Sequence, residues 1–348
     1  MTFRSVFRTL TRAVLVAWPM AVAATTVHAQ DVTLRLHQFL PLTSSIPGDA
    51  LEPWARAVEE QSAGRIKVEH YPSMQLGGAP PSLYDQARDG VVDLIWTVLG
   101  YTPGRFPKTE AFELPFMVST GEATSRAFHD YVAEYAIDEF ADIHPIVFHT
   151  HGPGLIHVKG SEVARLEDMD GLKLRGPTRV ITRLLEELGA TAVGMPVPQV
   201  PASISRGVID GAVIPWEVTL PLGVAELVDN HTEFAGDRGL YTATFIFAMN
   251  KESYEALPED LRAVIDANSG PEMAARFGAV MDAMDITGRE KAEAEGNSII
   301  VLDATEEARW RDAAQPVIDA WIADRTQDGA DGAALVEAAR ALVERYSE

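Results

Sequence analysis

The stretch Gly171-Leu-Lys-Leu-Arg175 predicts a short strand that follows a glycine turn and ends on a charged side chain. A helical pattern follows at once, with apolar residues at helical spacing over 179–188. The alternation continues with a strand near 192–194, a helix over 200–205 and a strand over 211–214. Because strands that alternate with helices are joined by crossover connections, this part of the chain predicts an α/β unit with a parallel sheet.

The preceding sequence predicts a second unit of the same kind. Residues 31–37 alternate apolar and polar side chains as a half-buried strand does, and residues 47–61 carry apolar side chains at helical spacing. Further strands are predicted at 66–71, 93–97 and 145–150, with helices at 81–89 and 120–139. A strand at 155–158 and a helical turn at 166–169 belong to the unit that contains Arg175. The pattern restarts at Gly154 without a fixed-period repeat of sequence.

The C-terminal third predicts one strand over 242–249 and then mainly helices. Residues 258–268 and 270–295 are rich in Ala, Glu, Met and Arg, which favour helices. A long helix after two α/β units can brace both, so we expect two lobes around a ligand-binding crevice. The expected division is lobe I over 31–152 and about 241–270, lobe II over 153–240 and about 285–335, and a bracing helix over about 270–297.

The first residues predict an export signal. Arg4, Arg8 and Arg12 precede an apolar run over 13–24, and Val27-His-Ala29 places small residues at a cleavage position. The run is shorter than the ~20 residues that cross a bilayer. We therefore expect a signal peptide over 1–29 and a mature protein in the periplasm.

The charge of the chain bears on its partners. It has 29 Lys and Arg against 51 Asp and Glu, a net charge of −22, which disfavours nucleic acid as a partner. A small anion remains compatible, because one local arginine outweighs distant, screened surface charge. The chain has no cysteine, so it has neither a thiol nucleophile nor a disulfide framework.

Catalytic and cofactor motifs are absent from the sequence. It has no G-x-S-x-G elbow, no G-x-x-x-x-G-K-[ST] loop and no G-x-G-x-x-G fingerprint. His149 and His151 could share a face as metal ligands, but no third ligand lies at useful spacing. We predict no catalytic residue, no cofactor and no metal site.

Three groups of residues together resemble the solute-binding component of tripartite ATP-independent periplasmic (TRAP) transporters. The groups are Met74-Gln-Leu-Gly77 with Gly90-Val-Val-Asp-Leu94 and Leu114-Pro-Phe116; Leu166 to Arg175; and Ile204-Ser-Arg-Gly-Val-Ile-Asp-Gly211. Each group alone is weak, but their order is specific, and the resemblance covers about Val32 to Arg340.

The resemblance implies an α/β fold of the two-lobed periplasmic binding protein (Venus-flytrap) type, with hinge strands and a long bracing helix. It also implies a non-catalytic protein that delivers a small organic acid to an ion-coupled transporter made of small and large membrane subunits. Arg175 matches the arginine that clamps the ligand carboxylate in that family. The chemistry agrees, because a planar guanidinium meets a carboxylate with two parallel hydrogen bonds.

Two departures from the family pattern bear on the ligand. Ile214 stands where many members have asparagine, and Gly154 stands where dicarboxylate and sialic acid binders tend to have a second arginine. Aromatic side chains capable of stacking on a ring occur at strand ends and nearby loops, namely Phe39, Trp96, Tyr101, Trp216 and Phe245. We therefore expect a monocarboxylate with an apolar or aromatic body that packs against Trp216, and we expect first-lobe aromatics to close over it.

Several polar residues complete the predicted site. Glu217 would repel a nearby carboxylate, so it is expected to accept a hydrogen bond from a ligand hydroxyl, to orient Arg175 or to help hold a cation. The other polar candidates are His37, Tyr101, Thr150 and His151. The alternatives left open are a C4-dicarboxylate or 2-oxo acid binder, a binding protein of an ATP-driven system, a sensory module, and a periplasmic enzyme using Glu217 and His151.

Overall fold

The computed structural model describes residues 1, 2 and 32–348, so the predicted signal peptide lies almost entirely outside the described residues. The strands are β1 Val32–Gln38, β2 Ile66–Tyr71, β3 Leu94–Val98, β4 Ile143–Thr150, β5 Leu155–Val158, β6 Lys173–Gly176, β7 Thr191–Gly194, β8 Gly211–Ile214, β9 Asn230–Phe234, β10 Thr244–Asn250 and β11 Ser298–Leu302. The α-helices are α1 Glu52–Gln61, α2 Leu83–Arg88, α3 Gly121–Tyr131, α4 Arg179–Glu187, α5 Val200–Ser205, α6 Lys251–Glu255, α7 Glu259–Ala267, α8 Pro271–Glu295, α9 Ala304–Gln327 and α10 Gly332–Ser347. None of the helices in this part of the chain is both long and apolar enough to cross a membrane.

The strands form two sheets, which define the two lobes. The first lobe is built on five strands in the order β2-β1-β3-β10-β4, and the second on six in the order β11-β9-β5-β8-β6-β7. Neither sheet is wholly parallel as the alternation predicts, because β10 runs antiparallel to both β3 and β4, and β5 runs antiparallel to β8 and β9. These antiparallel strands adjoin the segments through which the chain passes between the lobes.

Two of those crossing segments are joined to each other. The backbone N–H of Gly154 donates to the carbonyl of Tyr241 at 2.8 Å, in an isolated antiparallel bridge. A Cβ on Gly154 would lie 2.1 Å from the Tyr241 ring, so no larger residue fits there. The first sheet contains strands from 32–150 and 244–250, and the second contains strands from 155–234 and 298–302.

Helix α8 touches both lobes at two glycines. A Cβ on Gly278 would lie 2.1 Å from the carbonyl oxygen of Gly121, at the start of α3 in the first lobe. A Cβ on Gly288 would lie 2.5 Å from the carbonyl oxygen of Trp216, just beyond β8 in the second lobe. Ten residues of helix separate the glycines, about 15 Å along the axis. The helix therefore spans the boundary between the lobes with close backbone contact at each end.

Candidate functional site

A cavity lies where β3, β6, β8 and β10 approach one another between the lobes. Its volume is about 40 Å³. Side chains from both lobes line it: Phe39, Leu40, Trp96, Val98, Tyr101, His151, Arg175, Pro177, Val197, Ile214, Pro215, Glu217, Val218, Ala243 and Phe245. The lining is thus largely apolar, with a few polar groups that converge on one space.

The first-lobe side of the cavity is a stack of flat rings. The Trp96 ring lies parallel to Phe39 at 4.8 Å between centroids and parallel to Phe245 at 5.3 Å. The Trp96 indole N–H donates to Nε2 of His149 at 2.7 Å, which fixes the ring in its plane. Burial lowers the pKa of His149 to about 3, so the imidazole is neutral and accepts this bond. We call Phe39, Trp96 and Phe245 the aromatic wall.

The opposite side carries Arg175, the last charged residue of the β6 stretch. The side chain is only 2% exposed. Its Nε donates to the carbonyl of Met195 at 2.8 Å and its Nη1 to the carbonyl of Val213 at 3.2 Å, so backbone oxygens hold the guanidinium in place. No carboxylate of residues 32–348 forms an ion pair with it, in contrast to the similarly buried Arg325, which pairs with Asp328 at 3.0 Å. Since a buried, unneutralised charge is unfavourable, the site favours an anionic ligand.

Glu217 supplies a second polar group to the same cavity. Its Oε2 accepts a hydrogen bond from the Ser45 hydroxyl at 2.6 Å, and its backbone N–H donates to Asp285 on α8 at 2.7 Å. Burial raises the pKa of Glu217 to about 7, and the Ser45 bond opposes that rise only in part. Glu217 and Arg175 do not form an ion pair, so the cavity has two separate polar poles.

His151 lines the cavity in a neutral form. Its Nδ1 lies 2.5 Å from the carbonyl of Gly152, to which it donates, and its Nε2 accepts the backbone N–H of Ala243 at 3.0 Å. Burial lowers the pKa of His151 to about 4, and the positive charge of Arg175 acts in the same direction. Both ring nitrogens are therefore engaged within the protein.

Polar contacts close the cavity across the lobe boundary. The Tyr101 hydroxyl of the first lobe accepts the backbone N–H of Val197 in the second at 2.9 Å. Arg179 of α4 makes two hydrogen bonds to the carboxylate of Glu110, at 2.5 and 2.7 Å. Together with the bond between Ser45 and Glu217, these contacts identify the conformation as closed.

The structure places three predicted site residues away from the cavity. The Trp216 ring packs against His157 and His231 and donates to Glu233 at 2.8 Å, so the aromatic wall takes the place expected for Trp216. His37 bonds to Gln86 at 2.8 Å, within the first lobe. Thr150 is buried beside Ser125, which exchanges hydrogen bonds with its backbone. The predicted residues that do line the cavity are Phe39, Trp96, Tyr101, His151, Arg175, Glu217 and Phe245.

The two departures noted in the sequence have clear positions. Ile214 lines the cavity and contributes an aliphatic side chain to it. At Gly154 the Tyr241 ring fills the space that a longer side chain would need. In the described part of the chain, His, Asp and Glu side chains nowhere converge as a potential metal site.

Sequence reasoning missed Ser45 and several apolar lining residues. Ser45 is buried and reaches Glu217 from 172 residues away in the chain. Pro177, Val197 and Ala243 lie just beyond strands or in short turns. Apolar residues in such positions carry no signal of ligand contact, whereas proximity to the Arg175 strand could have drawn attention to Pro177.

The closed cavity between two α/β lobes, with one unpaired arginine, defines a two-lobed binding protein for a small anion. Residues 39–324 match the model of the bacterial extracellular solute-binding protein family 7 (DctP), and the chain belongs to this family of TRAP solute-binding proteins.

Solved structures of similar proteins cover nearly the whole chain. A marine metagenome TRAP solute-binding protein specific for aromatic acid ligands, in complex with meta-hydroxyphenylacetate, is 46% identical over 91% of this chain and 100% of its own, with a TM-score of 0.90. A TRAP solute-binding protein from Rhodoferax ferrireducens T118 with copurified benzoate is 48% identical over 90% of this chain and 98% of its own, with a TM-score of 0.89. One from Bordetella bronchiseptica with bound mandelate is 27% identical over 90% of this chain and 99% of its own, with a TM-score of 0.83.

Proposed function

We propose that this chain is a periplasmic receptor that binds an aromatic monocarboxylate and delivers it to the membrane subunits of a TRAP transporter. The observation that carries the proposal is the pairing, in one cavity, of a buried arginine without an anionic partner and a wall of stacked aromatic rings. Arg175 binds the carboxylate, and the aromatic wall covers the ring.

The number of charged groups favours a single carboxylate. Among the described residues that line the cavity, Arg175 is the one permanent cation, and His151 is neutral above a pH of about 4. A second carboxylate would have no positive partner and would be repelled by ionised Glu217. This disfavours C4-dicarboxylates, and the small volume of about 40 Å³ favours a compact, flat body.

The relatives support the same ligand class. The proteins from the marine metagenome and from Rhodoferax ferrireducens bind meta-hydroxyphenylacetate and benzoate, and both are more than 40% identical to this chain along nearly its full length.

The chemistry of the cavity favours a receptor over an enzyme. General acid and base catalysis needs a proton acceptor within reach of the substrate. Both nitrogens of His151 already bond to backbone groups, so it cannot take a substrate proton without losing one of those bonds. This disfavours an enzyme that uses Glu217 and His151 together as acid and base.

A ligand screen tests the proposal. Thermal unfolding of the ligand-free protein should be measured with benzoate, 3-hydroxybenzoate, mandelate, succinate, pyruvate and glucuronate. A ligand at a hundred times its dissociation constant adds about 2.7 kcal/mol to the stability of the folded state. We expect a large shift with at least one aromatic acid and little with succinate or pyruvate. A shift with the dicarboxylate alone would refute the assignment.

A further inference from the structure

The carboxylate of Glu217 is only half satisfied by the protein. Its Oε2 accepts the hydroxyl hydrogen of Ser45, and no hydrogen bond from residues 32–348 reaches its Oε1. The residue is 3% exposed and lines the cavity. Because Glu217 lines the cavity, a ligand bound there can supply the hydrogen that the protein does not.

The position of Glu217 is fixed, so its free oxygen has a defined place in the cavity. Ser45 holds the side chain from the first lobe, and the bond from its backbone N–H to Asp285 holds its backbone against α8. A polar group held in this way from two sides loses little conformational entropy when it binds.

Arg175 cannot relieve this unpaired oxygen. The two residues line the same cavity without forming an ion pair, and the guanidinium is held by the carbonyls of Met195 and Val213. The burial that raises the pKa of Glu217 to about 7 reflects the same lack of a positive neighbour. The cavity therefore presents a cation at one pole, an acceptor at the other, and flat apolar walls between them.

We infer that Glu217 is a specificity-determining residue that accepts a hydrogen bond from a ring hydroxyl, and that the preferred ligand class is hydroxylated aromatic monocarboxylates. The inference rests on the proposed function and narrows it. An unsubstituted aromatic acid would satisfy Arg175 and the aromatic wall but would leave Oε1 unpaired. A hydroxyl on the ring side remote from the carboxylate would supply the donor.

A comparison of ligands that differ by one hydroxyl tests the inference. Titration calorimetry should give the dissociation constants of benzoate and of 3- and 4-hydroxybenzoate for the wild type and for Glu217→Leu. At pH 8, where Glu217 is mostly ionised, we expect the wild type to bind one hydroxybenzoate about 10- to 100-fold more tightly than benzoate, the range for a hydrogen bond to a charged group. In Glu217→Leu the preference should fall to about twofold or less, while benzoate binds as well as before or better.

Two further variants separate recognition from structural support. Glu217→Gln keeps an acceptor oxygen, so it should retain part of the preference. Glu113→Gln changes another buried carboxyl group near the lobe boundary, one that does not line the cavity and accepts from Thr244 at 2.8 Å. It should change the affinities for benzoate and hydroxybenzoate by the same factor. Ligand-free thermal unfolding should accompany each variant.

The outcomes distinguish the two proposals. If benzoate and both hydroxybenzoates bind the wild type equally, or if Glu217→Leu weakens all of them by one factor, the role of Glu217 is refuted and the aromatic acid receptor stands. If none of these acids binds the wild type, the proposed function itself fails.

Discussion

The two sides of the cavity differ in how they are held and in what they can distinguish. The aromatic wall is fixed by ring stacking and by the bond from Trp96 to His149. The second-lobe side carries Arg175 and Glu217, each held by directional hydrogen bonds. Stacking tolerates many flat bodies, whereas hydrogen bonds require particular groups at particular places.

This difference assigns affinity and selection to different surfaces. The aromatic wall offers contact area to any planar acid of suitable size. The poles at Arg175 and Glu217 decide whether the ligand is an acid and what else it carries. Substitutions in the aromatic wall should therefore change the affinity for planar acids in general, whereas substitutions at Arg175 or Glu217 should change which ligands bind.

The largest effect is expected from Arg175→Ala. It removes the cation that pairs with the ligand carboxylate, and loss of one partner of a buried charge pair costs about 3–5 kcal/mol, which is more than 100-fold in affinity. Titration calorimetry with the best aromatic acid from the screen measures it. As a matched control, Arg183→Ala removes an arginine whose side chain is 47% exposed on α4 and should leave the dissociation constant within about twofold. An unchanged affinity in Arg175→Ala would show that Arg175 does not bind the ligand carboxylate.

The next largest effect is a dependence of affinity on pH that comes from Glu217. The pKa of Glu217 is about 7 in the closed form, so closure takes up a proton when the open form has the ordinary value near 4.5. Closure is then least hindered below about pH 4.5 and becomes less favourable as pH rises to about 7. Glu113, with a pKa also raised to about 7 by burial, acts in the same direction.

Benzoate affinity should accordingly fall at least about tenfold between pH 5 and pH 8, since a shift of one pKa unit corresponds to a factor of ten and both groups shift by more than one unit. The ligand stays mostly ionised over this range. The neighbours Ser45 and Asp285 do not reverse this sign, since burial and Glu217 raise the pKa of Asp285 too. His149 and His151 are neutral throughout. The double variant Glu217→Gln, Glu113→Gln should show a weaker dependence of benzoate affinity on pH. An equally steep dependence in that variant would show that other groups cause it.

A smaller effect is expected from Phe39→Leu in the aromatic wall. Leucine keeps apolar contact but loses the stacking on Trp96 at 4.8 Å, which is worth about 0.5–1.5 kcal/mol. Affinity for benzoate should fall about 2- to 10-fold, while affinity for the non-aromatic cyclohexanecarboxylate should change less. Equal losses for the two acids would mean that the wall recognises size alone.

The smallest effect is expected from Ser45→Ala. The substitution removes the hydroxyl that holds Oε2 of Glu217 at 2.6 Å, and one such bond contributes about 1 kcal/mol. Hydroxybenzoate should bind about fivefold more weakly and benzoate slightly more weakly, as measured by calorimetry. A loss as large as that of Arg175→Ala would show that Ser45 does more than orient Glu217.

The predictable parts of the site are those encoded within a single segment. Arg175 ends a strand inside a recognisable motif, and Glu217 follows a proline that ends β8, so both could be named from the sequence. Trp216 could not be placed correctly, because adjacent residues in that turn face opposite ways: Glu217 faces the cavity, whereas Trp216 faces α8 and the pair of His157 and His231.

The remaining features depend on contacts between distant segments. The parallel pairing of β6 and β8 was accessible from the alternation of elements. Strands β9 and β11 were both missed, and they pair with each other across more than sixty residues. The aromatic wall assembles from residues near the ends of β1, β3 and β10, and no sequence pattern shows that their rings stack.

The polar contacts across the lobe boundary should also control the rate at which a ligand is released. We expect a bound acid to leave only after the Arg179 pair with Glu110 and the Tyr101 bond to Val197 have broken. Dissociation should therefore require these contacts to break together. The residence time of the ligand should then depend more on the rate at which the lobes open than on the contacts between the ligand and the cavity. Differences in affinity between related receptors usually arise in the dissociation rate. In this chain, residues that never touch the ligand would share control of that rate.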